Sequence, residues 1–182
     1  SKVIYPRCFK GDIRKIYAQG EVFLEVAHDK KHPFIVESDD FKLQVLGTKF
    51  NISNYKGGTT NIVLVEGAVE VTDKNEKKAR LNPNDLLNIA NGTIAYQKQV
   101  DVAEYISWVE GIMLLNGNDL SQIIQRLSIY YGISIQCDPI IGKEKVYGKL
   151  DLKDDIDEVI ECIQQTLPFT IEKSDTSIYL NK

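Results

Sequence analysis

Between residues 13 and 97, apolar and polar positions alternate in short runs. Val22, Leu24 and Val26 alternate with Glu21, Phe23 and Glu25. Phe34-Ile35-Val36 follows a turn-forming stretch, His28-Asp29-Lys30-Lys31-His32-Pro33. Phe41, Leu43 and Val45 alternate with Lys42 and Gln44, and Phe50 and Ile52 continue the pattern after Gly47. Ile62, Leu64 and Val65 lead into Gly67, and Val69 and Val71 flank Glu70. A charged run from Asp73 to Lys78 reads as a turn, and Leu86-Leu87-Asn88-Ile89 as a further strand. A period of two with frequent turn residues marks strands with one buried face. It predicts an all-β domain over residues 1–98, a jelly-roll-like fold or β-sandwich.

Residues 99–110 read as a junction. A short helix is expected within Asp101–Glu110, with Trp108 as its anchor. After Gly111 the period changes. Leu120, Ile123, Ile124, Leu127 and Tyr131 fall on one helical face. Asn118 or Asp119 is placed to cap that helix, and Gly132 suits its left-handed stop. Ile156, Val159, Ile160, Ile163 and Leu167 form a second face, with Asp154 or Asp155 as cap and Pro168 as terminator.

The two helical segments are a repeat. Leu120 and Ile156, Ile124 and Ile160, Leu127 and Ile163, and Tyr131 and Leu167 are each separated by 36 positions. Strand candidates precede each helix (Ile112–Leu115 and Val146–Leu152) and follow it (Ile133–Cys137 and Phe169–Lys173). With a last strand at Ser177–Leu180, residues 111–182 are expected to form a small α+β domain of order βαβ-βαβ-β. Each helix must bury its apolar face on a small sheet.

Composition narrows the function. In 182 residues, 43% hydrophobic and 26% charged positions suit a chain that buries a core. A net charge of −4 gives little support for nucleic acid as a partner. No run of about 18 apolar residues is present. His28 and His32, the two histidines, sit in a charged turn and fall short of a typical metal site. Asp151, Asp154, Asp155, Asp157 and Glu158 lack the glycine of a calcium loop and read as helix-terminal carboxylates. Gly57-Gly58-Thr59-Thr60 lacks the lysine of a phosphate loop and reads as an inter-strand turn. Cys8, Cys137 and Cys162 match no metal spacing. Cys137 is expected to be buried and Cys8 exposed; a Cys137–Cys162 bond has no support in the sequence, which does not give the separation of the two residues. Tyr130, Tyr131, Tyr147 and Trp108 read as core or junction residues, with a sugar-binding surface as the other reading. No catalytic set, cofactor or metal is expected.

Several blocks, in order, carry a resemblance: Gly20-Glu21-Val22-Phe23-Leu24-Glu25-Val26, Pro33-Phe34-Ile35-Val36, Val45-Leu46-Gly47-Thr48-Lys49-Phe50-Asn51-Ile52 and Leu64-Val65-Glu66-Gly67-Ala68-Val69-Glu70-Val71. They resemble the FecR domain of anti-sigma regulators. Residues after Trp108-Val109-Glu110-Gly111 are similar to the small domain that follows FecR domains in Bacteroidetes regulators. That domain in turn resembles the short N-terminal domain of secretins and TonB-dependent receptors. Where the family has Pro-Gly-Glu this chain has Pro83-Asn84-Asp85, and Asn is the next residue after Gly to tolerate a left-handed turn.

The resemblance implies the periplasmic sensor portion of a single-pass inner-membrane anti-sigma regulator. It implies two partners. One is the signalling domain of a TonB-dependent outer-membrane receptor. The other is an ECF-type sigma factor, reached through a cytoplasmic segment outside this sequence. Ser177, Ile178, Tyr179 and Leu180 are expected at a sheet edge, where a partner's strand extends the sheet. The alternative is a glycan-binding jelly roll.

Overall fold

The computed structural model describes residues 1–55, 58–174 and 176–182. They divide into two compact units, Ser1–Ile106 and Ser107–Lys182.

In the first unit, ten strands form one sheet among the described residues. They are β1 (Lys2–Ile4), β2 (Arg14–Val26), β3 (Phe34–Glu37), β4 (Phe41–Val45), β5 (Thr48–Asn54), β6 (Thr60–Glu66), β7 (Val69–Asp73), β8 (Lys78–Leu81), β9 (Asp85–Ala90) and β10 (Thr93–Gln99). A short helix, α1 (Ala103–Ile106), ends the unit. The sheet order is β10-β9-β6-β5-β2-β3-β4-β7-β8, with β1 added to β2. The long β2 joins its halves. Arg14–Tyr17 pair in parallel with β3, and Gly20–Val26 pair antiparallel with β5. The two halves close on one core that includes Val36, Leu43, Val71, Phe50, Ile52 and Leu87. The all-β reading is borne out. Alternation found β3, β4, β5, β6, β7 and β9, but β1, β8 and β10 are largely exposed and carry little of that signal.

Polar side chains, the buried carboxylates Asp73 and Asp85 and the exposed Gln97, link the end strands of the sheet. Gln97 Nε2 donates to the Arg80 carbonyl at 3.2 Å and to Asp85 Oδ2 at 2.9 Å. Asp73, 4% exposed, accepts from the Asn75, Lys77 and Ile94 amides at 2.8, 3.0 and 2.9 Å. These bonds, led by that from Ile94, hold its carboxyl below the ordinary carboxylate range.

The second unit follows a 3-10 turn at Ser107–Glu110. It contains β11 (Ile112–Asp119), α2 (Leu120–Tyr131), β12 (Ser134–Cys137), β13 (Lys145–Asp151), α3 (Ile156–Gln164), β14 (Thr170–Lys173) and β15 (Ser177–Asn181). The expected helix of the junction is thus split into α1 and this turn. The 36-residue repeat is real in three dimensions. β11 pairs with β13, the equivalent strand, and β12 and β14, also equivalent, flank β15. Leu120, Ile123, Ile124 and Leu127 of α2 and Ile156, Val159, Ile160 and Ile163 of α3 share one core.

The helix ends follow partly from the expected caps. Asp155 Oδ1 accepts from the Asp157 and Glu158 amides at 2.9 and 3.0 Å, closing the α3 N-terminus. Asp119 occupies the cap position of α2, but its carboxylate pairs with Lys145 at 3.0 Å instead. Gly132, at φ 69°, stops α2 as expected. Pro168 does not terminate α3. The helix ends at Gln164, and the Thr166 and Leu167 amides turn back to the Ile163 carbonyl before the proline is reached.

Candidate docking edge

The three-stranded sheet β12-β15-β14 corrects the expected edge. Ser177–Leu180 lie in β15, which is the central strand. It pairs in parallel with β12, Ile135 opposite Ile178, and antiparallel with β14, Ile171 opposite Leu180. Being last in sequence does not make a strand last in space. The chain's final hairpin folds β15 between strands from the two repeats, so both sides of its backbone are occupied.

The true edges are β12 and β14, and they differ. On β12, Ser128 Oγ of α2 receives the Ile135 amide at 2.8 Å and donates to the Ile135 carbonyl at 3.2 Å. One hydroxyl therefore occupies both outward backbone groups of Ile135, at the middle of the strand. The position 36 residues on is Gln164 of α3. Its Nε2 donates to the Phe169 carbonyl at 2.7 Å, ahead of β14.

β14 is left open. The Ser174 amide donates to the Ser177 carbonyl at 2.9 Å, which makes that pair a hydrogen-bonded one. Bonded and non-bonded pairs alternate along an antiparallel ladder. The register therefore turns the amides and carbonyls of Glu172 and Thr170 toward β15, and those of Ile171 and Lys173 outward. All four β14 residues are exposed. Lys173 reaches an ion pair with Asp157 of α3. Hydrophobic periodicity hid this edge, because Ile171 maps onto Ile135, yet Ile135 is 6% exposed and Ile171 38%.

The other residues singled out in the sequence have local roles. His32 Nδ1 lies 2.7 Å from Asp29 Oδ2, and this bond leads the lowering of the Asp29 carboxyl. His28, exposed in the same turn, packs against Gly47 and lines a groove of about 400 Å³ with Leu46, Glu70 and Arg80. Asp151 accepts from the Lys153 amide at 3.0 Å, while Asp155 is the cap and Asp157 the partner of Lys173. Among the described residues no three His, Cys, Asp or Glu side chains converge as metal ligands.

The Gly58 amide donates to the Tyr55 carbonyl at 3.0 Å in the turn between β5 and β6, and Gly57 lies outside the described residues. Cys137 is half-buried rather than buried, and burial raises its thiol pKa. Cys8 and Cys162 are exposed, and all three cysteines are free.

The aromatics divide. Trp108 and Tyr131 pack against the α+β core. The Tyr131 hydroxyl bonds the Leu152 and Asp154 carbonyls, and its burial pushes its pKa up to about 12. Tyr130 meets Tyr131 edge-on at 5.1 Å, and Tyr147 lies exposed beside Gly117 on the β11–β13 ribbon.

Comparisons with known proteins bear on both units. The sequence model described as FecR protein matches residues 2–70, and the one described as FecR, C-terminal, matches residues 112–180. A crystal structure at 1.65 Å of a protein assigned as an anti-sigma factor, from Parabacteroides distasonis ATCC 8503, is 30% identical. It superposes with a TM-score of 0.84 over 99% of this chain and 85% of that one. A second crystal structure so assigned from that organism, at 2.50 Å, gives 0.83 at 30% identity with the same coverage. No curated protein matches the sequence.

The chain belongs to the FecR family of anti-sigma factors. That family is a regulatory, non-enzymatic kind. The blocks that carried the FecR resemblance now have physical meaning. A Cβ at Gly47 would lie 2.5 Å from His28 Cα, and one at Gly67 would lie 2.7 Å from the Gly47 carbonyl oxygen. Both positions are therefore closed to larger side chains by backbone packing. The FecR turn at Pro83-Asn84-Asp85 survives its departure from the family pattern. Asn84 takes φ 71°, and Asp85 accepts from the Asn82 amide at 2.7 Å. Among the described residues, no helix of this FecR-family chain is long and apolar enough to cross a membrane.

Proposed function

We propose that this chain is the periplasmic sensor portion of a membrane-anchored anti-sigma regulator, and that it receives its signal by docking the signalling domain of a TonB-dependent outer-membrane receptor. The relay then runs to an ECF-type sigma factor through a cytoplasmic segment of the whole protein. The observation that carries the reading is the open edge of β14. It lies in the unit that matches the FecR C-terminal model, and it offers the outward amides and carbonyls of Ile171 and Lys173.

Strand addition at this edge supplies main-chain hydrogen bonds, and the exposed Ile171 supplies an apolar contact beside them. The bonds add to the existing ladder without unpairing β15, so docking needs no local unfolding. The residues meant for the partner are thus Thr170–Lys173, one strand away from the Ser177–Leu180 segment that the sequence pointed to.

Isothermal titration of the chain with the receptor's isolated periplasmic signalling domain tests the reading. Saturable one-to-one binding is expected, weakened at least tenfold by Ile171→Pro. Proline removes one outward amide and leaves the inward pairs intact. Absence of heat and of pull-down at high micromolar concentration in low salt would sink the receptor assignment. Full-strength binding by a folded Ile171→Pro chain would move the interface away from β14.

A further inference from the structure

The first thirteen residues are all exposed, and they hold the densest group of exposed large apolar side chains among the described residues. Ile4 is 52% exposed, Tyr5 68%, Ile13 45%, Phe9 40% and Val3 38%. The segment is nevertheless held to the β unit at its start, where Ser1 Oγ donates to the Glu21 carbonyl at 2.8 Å and accepts from the Glu21 amide at 3.1 Å, and at two places beyond. β1 pairs with Tyr17–Gln19 of β2, and the Phe9 ring meets Phe34 edge-on at 6.2 Å. Between these points Tyr5, Pro6, Arg7 and Cys8 project at the surface.

The charge of the segment departs from that of the chain. It carries Lys2, Arg7 and Lys10 against Asp12, within a chain of net charge −4. Cations interleaved with exposed aromatic and aliphatic residues match a surface with phosphates outside and hydrocarbon beneath. Long basic side chains reach the headgroups while the rings sit at the boundary. A protein partner meets both groups only where acidic residues rim an apolar patch. An anionic bilayer uses both.

We propose that residues 1–13 form an interfacial arm that lays the β unit on an anionic lipid surface. The proposal stands on side chains of this chain and does not depend on the receptor reading. Attraction to anionic headgroups contributes about a fivefold change in affinity per cation near the surface. Co-sedimentation with vesicles of phosphatidylglycerol and phosphatidylethanolamine, against vesicles of phosphatidylcholine alone, tests it. The chain is expected to pellet with the anionic vesicles, to do so less as salt rises, and to stay in solution with the neutral ones.

Arg7→Glu with Lys10→Glu should weaken pelleting more than tenfold, and Ile4→Ser with Tyr5→Ser at least fivefold, with circular dichroism unchanged in each pair. Failure of the unmodified chain to pellet with anionic vesicles would overturn the arm. So would pelleting that ignores both pairs of substitutions. A concentration-dependent dimer in light scattering that Ile4→Ser with Tyr5→Ser disperses, without vesicle binding, would assign the arm to a second copy of the chain instead.

Discussion

The two βαβ repeats of the α+β unit come from the same pattern and end differently at their outer strands. In the first repeat, Ser128 folds its hydroxyl onto both outward backbone groups of Ile135. In the second, Gln164 stands at the equivalent place and serves the Phe169 carbonyl instead, leaving β14 open. The helices bury equivalent faces in one core, so core packing does not explain the difference. One short side chain decides it. An unpaired edge is a liability unless a partner uses it, and the contrast is what the proposed docking at β14 rests on.

The shared core gives the largest expected effect. Leu127→Ala and Ile163→Ala, at equivalent and fully buried positions, should each lower stability by about 2–5 kcal/mol. Urea unfolding followed through Trp108, the single tryptophan and packed on that core, reads it. Strongly unequal losses would break the equivalence of the repeats.

Next in size is the edge itself. Ser128→Ala should cost about 1–3 kcal/mol, because the partly buried amide and carbonyl of Ile135 lose their partner. It should also speed amide exchange at Ile135 toward the rate at Ile171. Unchanged protection at Ile135 would show that the hydroxyl does not guard the strand.

The caps sharpen the comparison at a smaller scale. Asp155→Ala should cost about 1 kcal/mol, since two amides of α3 lose an acceptor. Asp119→Ala removes a surface pair between the half-buried Asp119 and the exposed Lys145 and should cost about 0–1 kcal/mol. Equal thermal shifts for the two would mean that the caps are used alike.

Smallest in stability is Ile171→Pro, expected within about 0.5 kcal/mol because the replaced amide faces outward. Its effect belongs to binding. A large loss of stability would place that amide inside the ladder and reverse the register drawn for β14.

The sequence was readable where burial has a period. Phe41, Leu43 and Val45 predicted β4 residue by residue, and the 36-residue offset located both helices and their flanking strands. It was less readable where both faces are covered. Val63 and Leu86 lie on the opposite face from Ile62 and Leu87, yet all four are buried. It was silent on β8 and β10, whose positions depend on Asp73, Asp85 and Gln97 meeting across the closing sheet.

By itself, the sequence determined the family and the local states that have a buried period: the strands with one regular apolar face, both long helices, Gly132 as the stop of α2, and the ordered blocks of the FecR pattern. Only the tertiary structure decided neighbours. Strand order is set by which distant segments share hydrogen bonds, and periodicity carries no record of that. So β15, last in the chain, proved central, and the open edge passed to β14. For the same reason Ser128 and Gln164, ordinary polar positions on two helices, acquired opposite roles once the sheet was assembled beside them.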